Sequence, residues 1–177
     1  MASVLFPEYQ VERGALFSPC EQYRYGLWRI WNRQLPKLGF LLLNPSTATA
    51  EDDDPTVHRC GERARCLGFG GFYVCNLFAF RSTDPAKLYE VDDPIGDEND
   101  RWIQYYMTMC TKVVCGWGKD GTYMARDRAV LNLFNAEWLP PQFLNALKIN
   151  NDGTPTHPLY LAYQTTLKPY TGAALCH

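Results

Sequence analysis

Asn44, Asn76 and His157 are the residues in this sequence whose type and setting point to chemistry. Asn44 ends the apolar run FLLL and is followed by Pro45. An amide there has an acceptor and two donors, enough to orient a water or hold a ligand edge. It serves equally well as an Asx-turn closing a strand. Asn76 lies between the apolar runs FYVC and LFAF. A buried amide without partners costs about 1–3 kcal/mol, so it must cap backbone or bind a ligand, for example the edge of a nucleobase. His157 stands between Pro155 and Pro158 in a stiffened loop, which suits a donor that needs fixed geometry. Of the other histidines, His58 falls in a predicted helix, facing solvent or capping a neighbour, and His177 is terminal.

Other groups surround these three. The run Asp52-Asp53-Asp54 offers a general base in Asp53, although Asp54 reads as a helix cap with the other two solvated beside it. Arg81, Ser82 and Thr83 follow the second apolar strand and are placed to meet a phosphate, or to form an ordinary surface loop. Arg59, Arg63 and Arg126 are further candidates for local contact with a nucleic-acid backbone. Phe78, Phe80 and Trp117 are candidates for stacking on a base, but most aromatics in such positions are core.

The elements that must position these groups alternate between strand and helix. Residues 22–31 mix aromatic and basic residues in a β-rich run, and Asn32–Lys37 reads as a turn. The pattern predicts an N-terminal antiparallel hairpin with the strand Leu38–Leu43. Asp54-Pro55 opens a helix that runs to about Leu67 and stops at Gly68. Strands follow at Phe72–Cys75, Lys112–Cys115 and about Leu144–Ile149. Helices are predicted over about Asp97–Thr111 and Thr122–Asn135. Alternation of this kind implies a mostly parallel sheet, covered on both faces, in a three-layer α/β/α arrangement. Ligands of such sheets bind outside the carboxyl ends of the strands. That rule puts Asn44, Asn76, the turn Gly116-Trp117-Gly118 and His157 on one rim.

Composition sets the limits. The chain has 177 residues, 46% of them hydrophobic and 20% charged, with a net charge of −2. One domain over residues 1–177 is the expectation. The near-neutral balance argues against tight non-specific coating of DNA, though not against a local basic patch. No apolar run is long enough to span a membrane, and the N-terminus lacks the pattern of a secretory signal, so a cytoplasmic protein without a membrane partner is expected. The seven cysteines have no zinc-type spacing and read as reduced, small apolar residues. Neither a metal nor a cofactor is implied.

The motifs LNPSTA, DDPT, NLFAFR-TDP, G-END, WG and HPLYL resemble a bacterial and phage family of unknown function over roughly residues 23–170. More distantly, their order is similar to that of the uracil-DNA glycosylase superfamily. There a strand leads into a G-x-N-P or G-x-D-P loop that holds the catalytic water, and a second strand ends on an Asn that reads the base. A third strand leads into WG, and a last loop carries H-P-S. The counterparts are Leu42-Leu43-Asn44-Pro45, Val74–Arg81, Gly116-Trp117-Gly118 and His157-Pro158-Leu159. The sequence departs from that pattern in three ways. Leu42 replaces the glycine, Leu159 replaces the serine, and Ser46 and Thr47 stand where uracil-specific members have an aromatic after the proline.

The resemblance implies a glycosylase acting on a base flipped out of DNA. Asn44 would hold the water, His157 would donate to the base O2, and Asn76 would read the base edge, with Pro45, Ser46, Phe78 and Trp117 around it. Leu159 and Tyr160 would enter the vacated stack, and Arg81, Ser82 and Thr83 would meet the strand. The small Ser46 and Thr47 leave room for a substituent at the pyrimidine 5-position, so a modified base, in repair or antiphage defence, is expected before uracil. Two other readings stay open: a non-catalytic module that binds nucleotides or modified DNA, and a hydrolase or transferase of free nucleosides or nucleotides.

Overall fold

The computed structural model describes residues 11–134, 140 and 143–172. Its centre is one seven-stranded sheet: β1 Glu12–Phe17, β2 Arg24–Ile30, β3 Leu38–Leu42, β4 Gly71–Asn76, β5 Lys112–Cys115, β6 Leu144–Ala146 and β7 Lys168–Pro169. The order across the sheet is β1-β2-β4-β3-β5-β6-β7. The four central strands β4, β3, β5 and β6 are parallel. The edges are antiparallel, with β2 on β4, β1 on β2, and β7 on β6. The fold is mixed α/β.

The expected hairpin between residues 22–31 and 38–43 does not form. Strand β2 pairs with β4, which lies between β2 and β3. The reason is the segment after β2, which wraps round the start of β4. Trp31 and Asn32 both donate to Gly70 O, and Gly70 N donates to Pro36 O. A Cβ at Gly70 would stand 2.1 Å from Asn32 O, so only glycine lets the two backbones come this close.

Three α-helices connect the parallel strands: α1 Pro55–Cys66, α2 Asn99–Thr108 and α3 Arg126–Asn132. Helix α1 begins as its sequence dictates. Asp54 caps it by accepting from Val57 N at 2.8 Å, and Pro55 takes a first-turn position where no N–H is needed. It ends before Gly68, whose φ of +80° suits glycine. Helix α3 starts later than its pattern predicts. Tyr123 is extended, and Met124 and Ala125 have φ of 54° and 51°, so only a 3-10 turn precedes Arg126. The predicted end at Asn135 lies outside the described residues.

Side chains alternate along the strands into two apolar clusters. Leu38, Phe40 and Leu42 of β3, with Phe72 and Val74 of β4, pack with Val57, Cys60 and Ala64 of α1. Leu41, Cys75, Val113 and Cys115 pack with Ile103, Tyr106 and Met107 of α2 and Val130 of α3. Continuous apolar strands of this kind suit burial on both faces. Cys60, Cys75, Cys110 and Cys115 are buried and free, and burial pushes each thiol up from its ordinary value; Cys20 and Cys66 are free and exposed.

Candidate functional site

The carboxyl ends of β3, β4 and β5 are drawn together by register. Leu42 is the parallel partner of Asn76, and Leu41 that of Cys115. The contacts continue past the strands: Leu77 N donates to Leu42 O, Phe78 N to Leu43 O, and Gly116 N to Leu41 O. Paired residues of parallel strands face the same side, so Asn76 shares Leu42's side of the sheet, the side that carries α1. Asn44 lies two residues beyond the end of β3.

Asn44 is half-buried, and its amide orientation is fixed. Nδ2 donates to Ser82 O at 2.8 Å and to Pro45 O at 3.2 Å, while Ser82 N donates back to Pro45 O. Among the described residues, no hydrogen bond occupies the acceptor Oδ1. Asn76 is 2% exposed, and its Oδ1 is buried without a hydrogen-bond partner among the described residues. An acceptor left in this condition costs about 1–3 kcal/mol.

His157 is brought to the same rim by its neighbours. A Cβ at Gly116 would stand 2.7 Å from Pro158 Cδ and 3.2 Å from Leu42 Cδ2, so glycine lets the Pro158 ring settle on the ends of β3 and β5. Gly118 N donates to Pro155 O and ties the Gly-Trp-Gly turn to the histidine loop. Helix α1 grips the other end of that loop. Arg59 donates to Leu161 O, and the fully buried Arg63 donates to Leu161 O, Ala162 O and Tyr163 O. Both guanidinium groups also lie against the Tyr163 ring.

The histidine tautomer follows from one contact. Nδ1 accepts from Leu159 N at 3.2 Å, so the proton of the neutral ring is on Nε2. Burial holds the imidazole below its ordinary 6.5, against the opposing pull of the Asp54 carboxylate. At neutral pH His157 is therefore an uncharged Nε2–H donor.

Other expected site residues have different surroundings. Asp53 is ion-paired to the buried Arg29 at 2.8 Å, with Arg13 at 3.5 Å, so its carboxylate is committed to holding the loop before α1. Phe78 is fully buried against Tyr123, and Trp117 is 2% exposed against Tyr170, both in the α2–α3 cluster. Their faces are core; the indole Nε1 of Trp117 is buried without a hydrogen-bond partner among the described residues. Pro45 is buried, and Ser46 and Leu159 are half-buried. Tyr160 is 79% exposed. Arg81 donates to Glu21 O and lies over the Phe17 ring, next to Ser82 and the exposed Thr83. Arg59, Arg63 and Arg126, candidates for a nucleic-acid backbone, instead bond carbonyls of their own chain.

Sequence reasoning missed the support beneath Asn76. Asn99, fully buried at the start of α2, donates through Nδ2 to Asn76 O and Leu77 O. Arg126 Nε donates to Leu77 O at 2.7 Å, and Arg126 is ion-paired with Asp100. The run G-END carries the first half of this network, but its spacing does not reveal burial.

A family described as "Protein of unknown function (DUF1643)" matches residues 24–159. The chain belongs to this family. Every site residue described above except Arg13, Phe17, Glu21, Tyr160–Tyr163 and Tyr170 lies inside the matched segment. Neither curated proteins nor solved structures gave a match. Among the described residues, no helix is long and apolar enough to cross a membrane, and no group of three or more His, Cys, Asp or Glu is placed to hold a metal ion.

Proposed function

We propose that this protein is a DNA base glycosylase that hydrolyses the N-glycosidic bond of a flipped, modified pyrimidine. The observation that carries the reading is the buried, unpartnered Oδ1 of Asn76 at a parallel-strand end. An imide or amide N–H on a base edge would satisfy it, and a pocket built around such a bond rejects analogues lacking the group by about 10⁴-fold. Helices packed in two clusters with alternating strand residues favour the three-layer α/β/α arrangement of the uracil-DNA glycosylase superfamily.

In this mechanism Asn44 Oδ1 accepts from a water and aims its oxygen at the sugar carbon. The water oxygen bonds to that carbon as the carbon–nitrogen bond breaks, and the bonding pair leaves on the base. Negative charge grows on the base O2, where the Nε2–H of His157 stabilises it. Losing one such donor typically costs about 10²–10³ in rate. The water's proton ends on the departing base. Asp53 has no part in this scheme, because Arg29 and Arg13 hold its carboxylate. Tyr160, the most exposed aromatic beside the site, is the group to enter the vacated stack.

The test uses oligonucleotides carrying uracil, mismatched thymine and 5-substituted pyrimidines, incubated with protein and then treated with alkali. Strand scission at a modified base, lost in Asn44→Ala and His157→Ala, is the expected result. No scission with any base, or full scission by both variants, overturns the proposal.

A second reading has its own support. Arg24, Arg29, Arg59, Arg63 and Arg126 are all spent on internal partners, in a chain of net charge −2. That leaves few cations for phosphates and favours a free nucleoside or nucleotide as substrate, or a binding module without turnover. Affinity for DNA falls steeply with added salt, whereas affinity for a small molecule does not.

A further inference from the structure

Among the described residues four arginines are buried, and three of them are matched. Arg29 and Arg126 are ion-paired to Asp53 and Asp100, and Arg63 holds three carbonyls and lies against the Tyr163 ring. Arg24 is different. It is 2% exposed, and among the described residues its side chain makes one hydrogen bond, Nη1 to Ala48 O at 2.9 Å. Its Nε is buried without a partner, and no carboxylate is ion-paired to it. Burial pulls the guanidinium down to about 10, against the opposing pull of Asp54, so it stays charged at neutral pH. A buried charge with so few partners is costly, and no step of the proposed reaction uses it. Burial also keeps it from a backbone phosphate at the surface.

Its place in the fold sets it beside Asn76. Leu27 of β2 is the antiparallel partner of Val74 of β4, and Arg24 N donates to Ala79 O, so Arg24 stands level with residues 76–79. The guanidinium bonds Ala48, which packs in the cluster on the α1 side, and Asn76 shares that side of the sheet. Across the rim the order is β2 with Arg24, β4 with Asn76, then β3 and β5, whose ends carry the His157 loop. The polar atoms in that order are a donor, an acceptor and a donor: Arg24 Nε–H, Asn76 Oδ1 and His157 Nε2–H. An imide edge, with its N–H between two carbonyl oxygens, is the complement of this row. A cytosine-type edge would set an amino donor against Arg24 and a ring acceptor against Asn76.

We infer that Arg24 contacts the base, donating through Nε to the carbonyl oxygen farther from His157, and that its buried charge takes up negative charge as the base departs. The inference rests on the proposed glycosylase reading for the presence of a base at Asn76, and it adds a cation to that site. The carbon–nitrogen bonding pair leaves on the base. Its charge spreads by conjugation to both oxygens, one meeting His157 and the other Arg24, while the N–H between them stays on Asn76 Oδ1. An opposite charge within about 4–6 Å lowers the pKa of an acid by about 1–3. A free base bound here therefore loses the proton of its sugar-bearing nitrogen more readily than in water. The other charged or titratable groups around Arg24 are Asp54, Arg29, Arg81, Cys60 and Cys75. Burial keeps both thiols neutral, and Asp54 opposes an anion.

The test is a binding measurement that needs no turnover. Its probe is free 5-fluorouracil, which ionises slightly above neutral pH and reports its charge by fluorine NMR. Bound to wild type, it should ionise at least about one pH unit below its value in water. Arg24→Gln keeps a donor and removes the charge, and should abolish at least about half of that shift. Arg24→Lys restores the charge and should restore the shift. The lowered midpoint should persist in His157→Gln, a comparison that leaves Arg24 untouched. An arginine with a merely structural role would change the melting temperature of its variants and leave the midpoint alone. No binding at millimolar 5-fluorouracil, an unshifted midpoint in wild type or in His157→Gln, or a full shift in folded Arg24→Gln overturns the inference. The scission assay reads the other question. A lowered midpoint without scission removes the glycosylase and leaves Arg24 as a binding residue, whereas scission with an unshifted midpoint leaves the glycosylase and removes the role of Arg24.

Discussion

Asn99 Nδ2 holds the main chain at Asn76, donating to its carbonyl at 3.1 Å and to that of Leu77 at 2.9 Å. Arg126 adds a third bond to the same turn. The point at which Asn76 leaves its strand is thus fixed by a helix N-terminus packed on the opposite face of the sheet. Replacing Asn99 by Ala removes two buried hydrogen bonds and strands the Asn76 carbonyl, while Leu77 O keeps its bond from Arg126. It should lower unfolding stability by about 2–4 kcal/mol, read as a lower urea midpoint at unchanged slope. Asn99→Asp should be worse, because a buried carboxylate would face two carbonyl oxygens.

Asn76 should show the opposite sign. Among the described residues its Oδ1 is buried without a partner, so the folded protein is less stable for having it. Asn76→Leu, close in volume, should leave Tm unchanged or raise it by a few degrees while abolishing base release. Scanning calorimetry checks the first expectation and the scission assay the second. A marked loss of Tm would mean that the amide has a structural partner.

Arg63 is fully buried and bonds three consecutive carbonyls of the segment after His157. Lysine cannot span them with a planar fork. Arg63→Lys should cost about 2–4 kcal/mol. It should also speed amide hydrogen exchange over 157–163 more than over the central strands, which mass spectrometry can resolve.

The histidine gives a pH prediction with a definite sign. Its folded value lies below the ordinary 6.5. Between the folded and unfolded values the unfolded chain binds the extra proton, so stability rises with pH there. The contribution is complete above about 6.5 and is lost as pH falls through the folded value. An NMR titration should place the His157 midpoint below 6.5. His157→Gln should lose less stability than wild type between pH 7 and pH 5.

What could be read from the chain in advance was local. Asp54-Pro55 and Gly68 mark the ends of α1 because capping is settled within a few residues. LGFLL and KVVC announce buried strands because their apolar content is continuous. The partner of β2 was not legible, since nothing in residues 22–31 indicates that Gly70 will be threaded by Asn32 and Pro36. Nor was the fate of the arginines. Arg29, Arg63 and Arg126 look like surface cations in the sequence and are buried clamps in the fold. For the site, strand-end amides could be found by pattern, but the bonds that turn Asn44 and tie up Asp53 depend on residues tens of positions away.

The insertion of β4 between β2 and β3 imposes an order on biosynthesis. Strands β1 and β2 are made first, yet the neighbour that anchors β2 is residues 71–76. Until that segment leaves the ribosome, the first two strands form a lone ribbon with an open hydrogen-bonding edge, and such ribbons are marginal on their own. A nascent chain stalled before residue 76 should therefore be a good client for chaperones, and one stalled well beyond it a poor one.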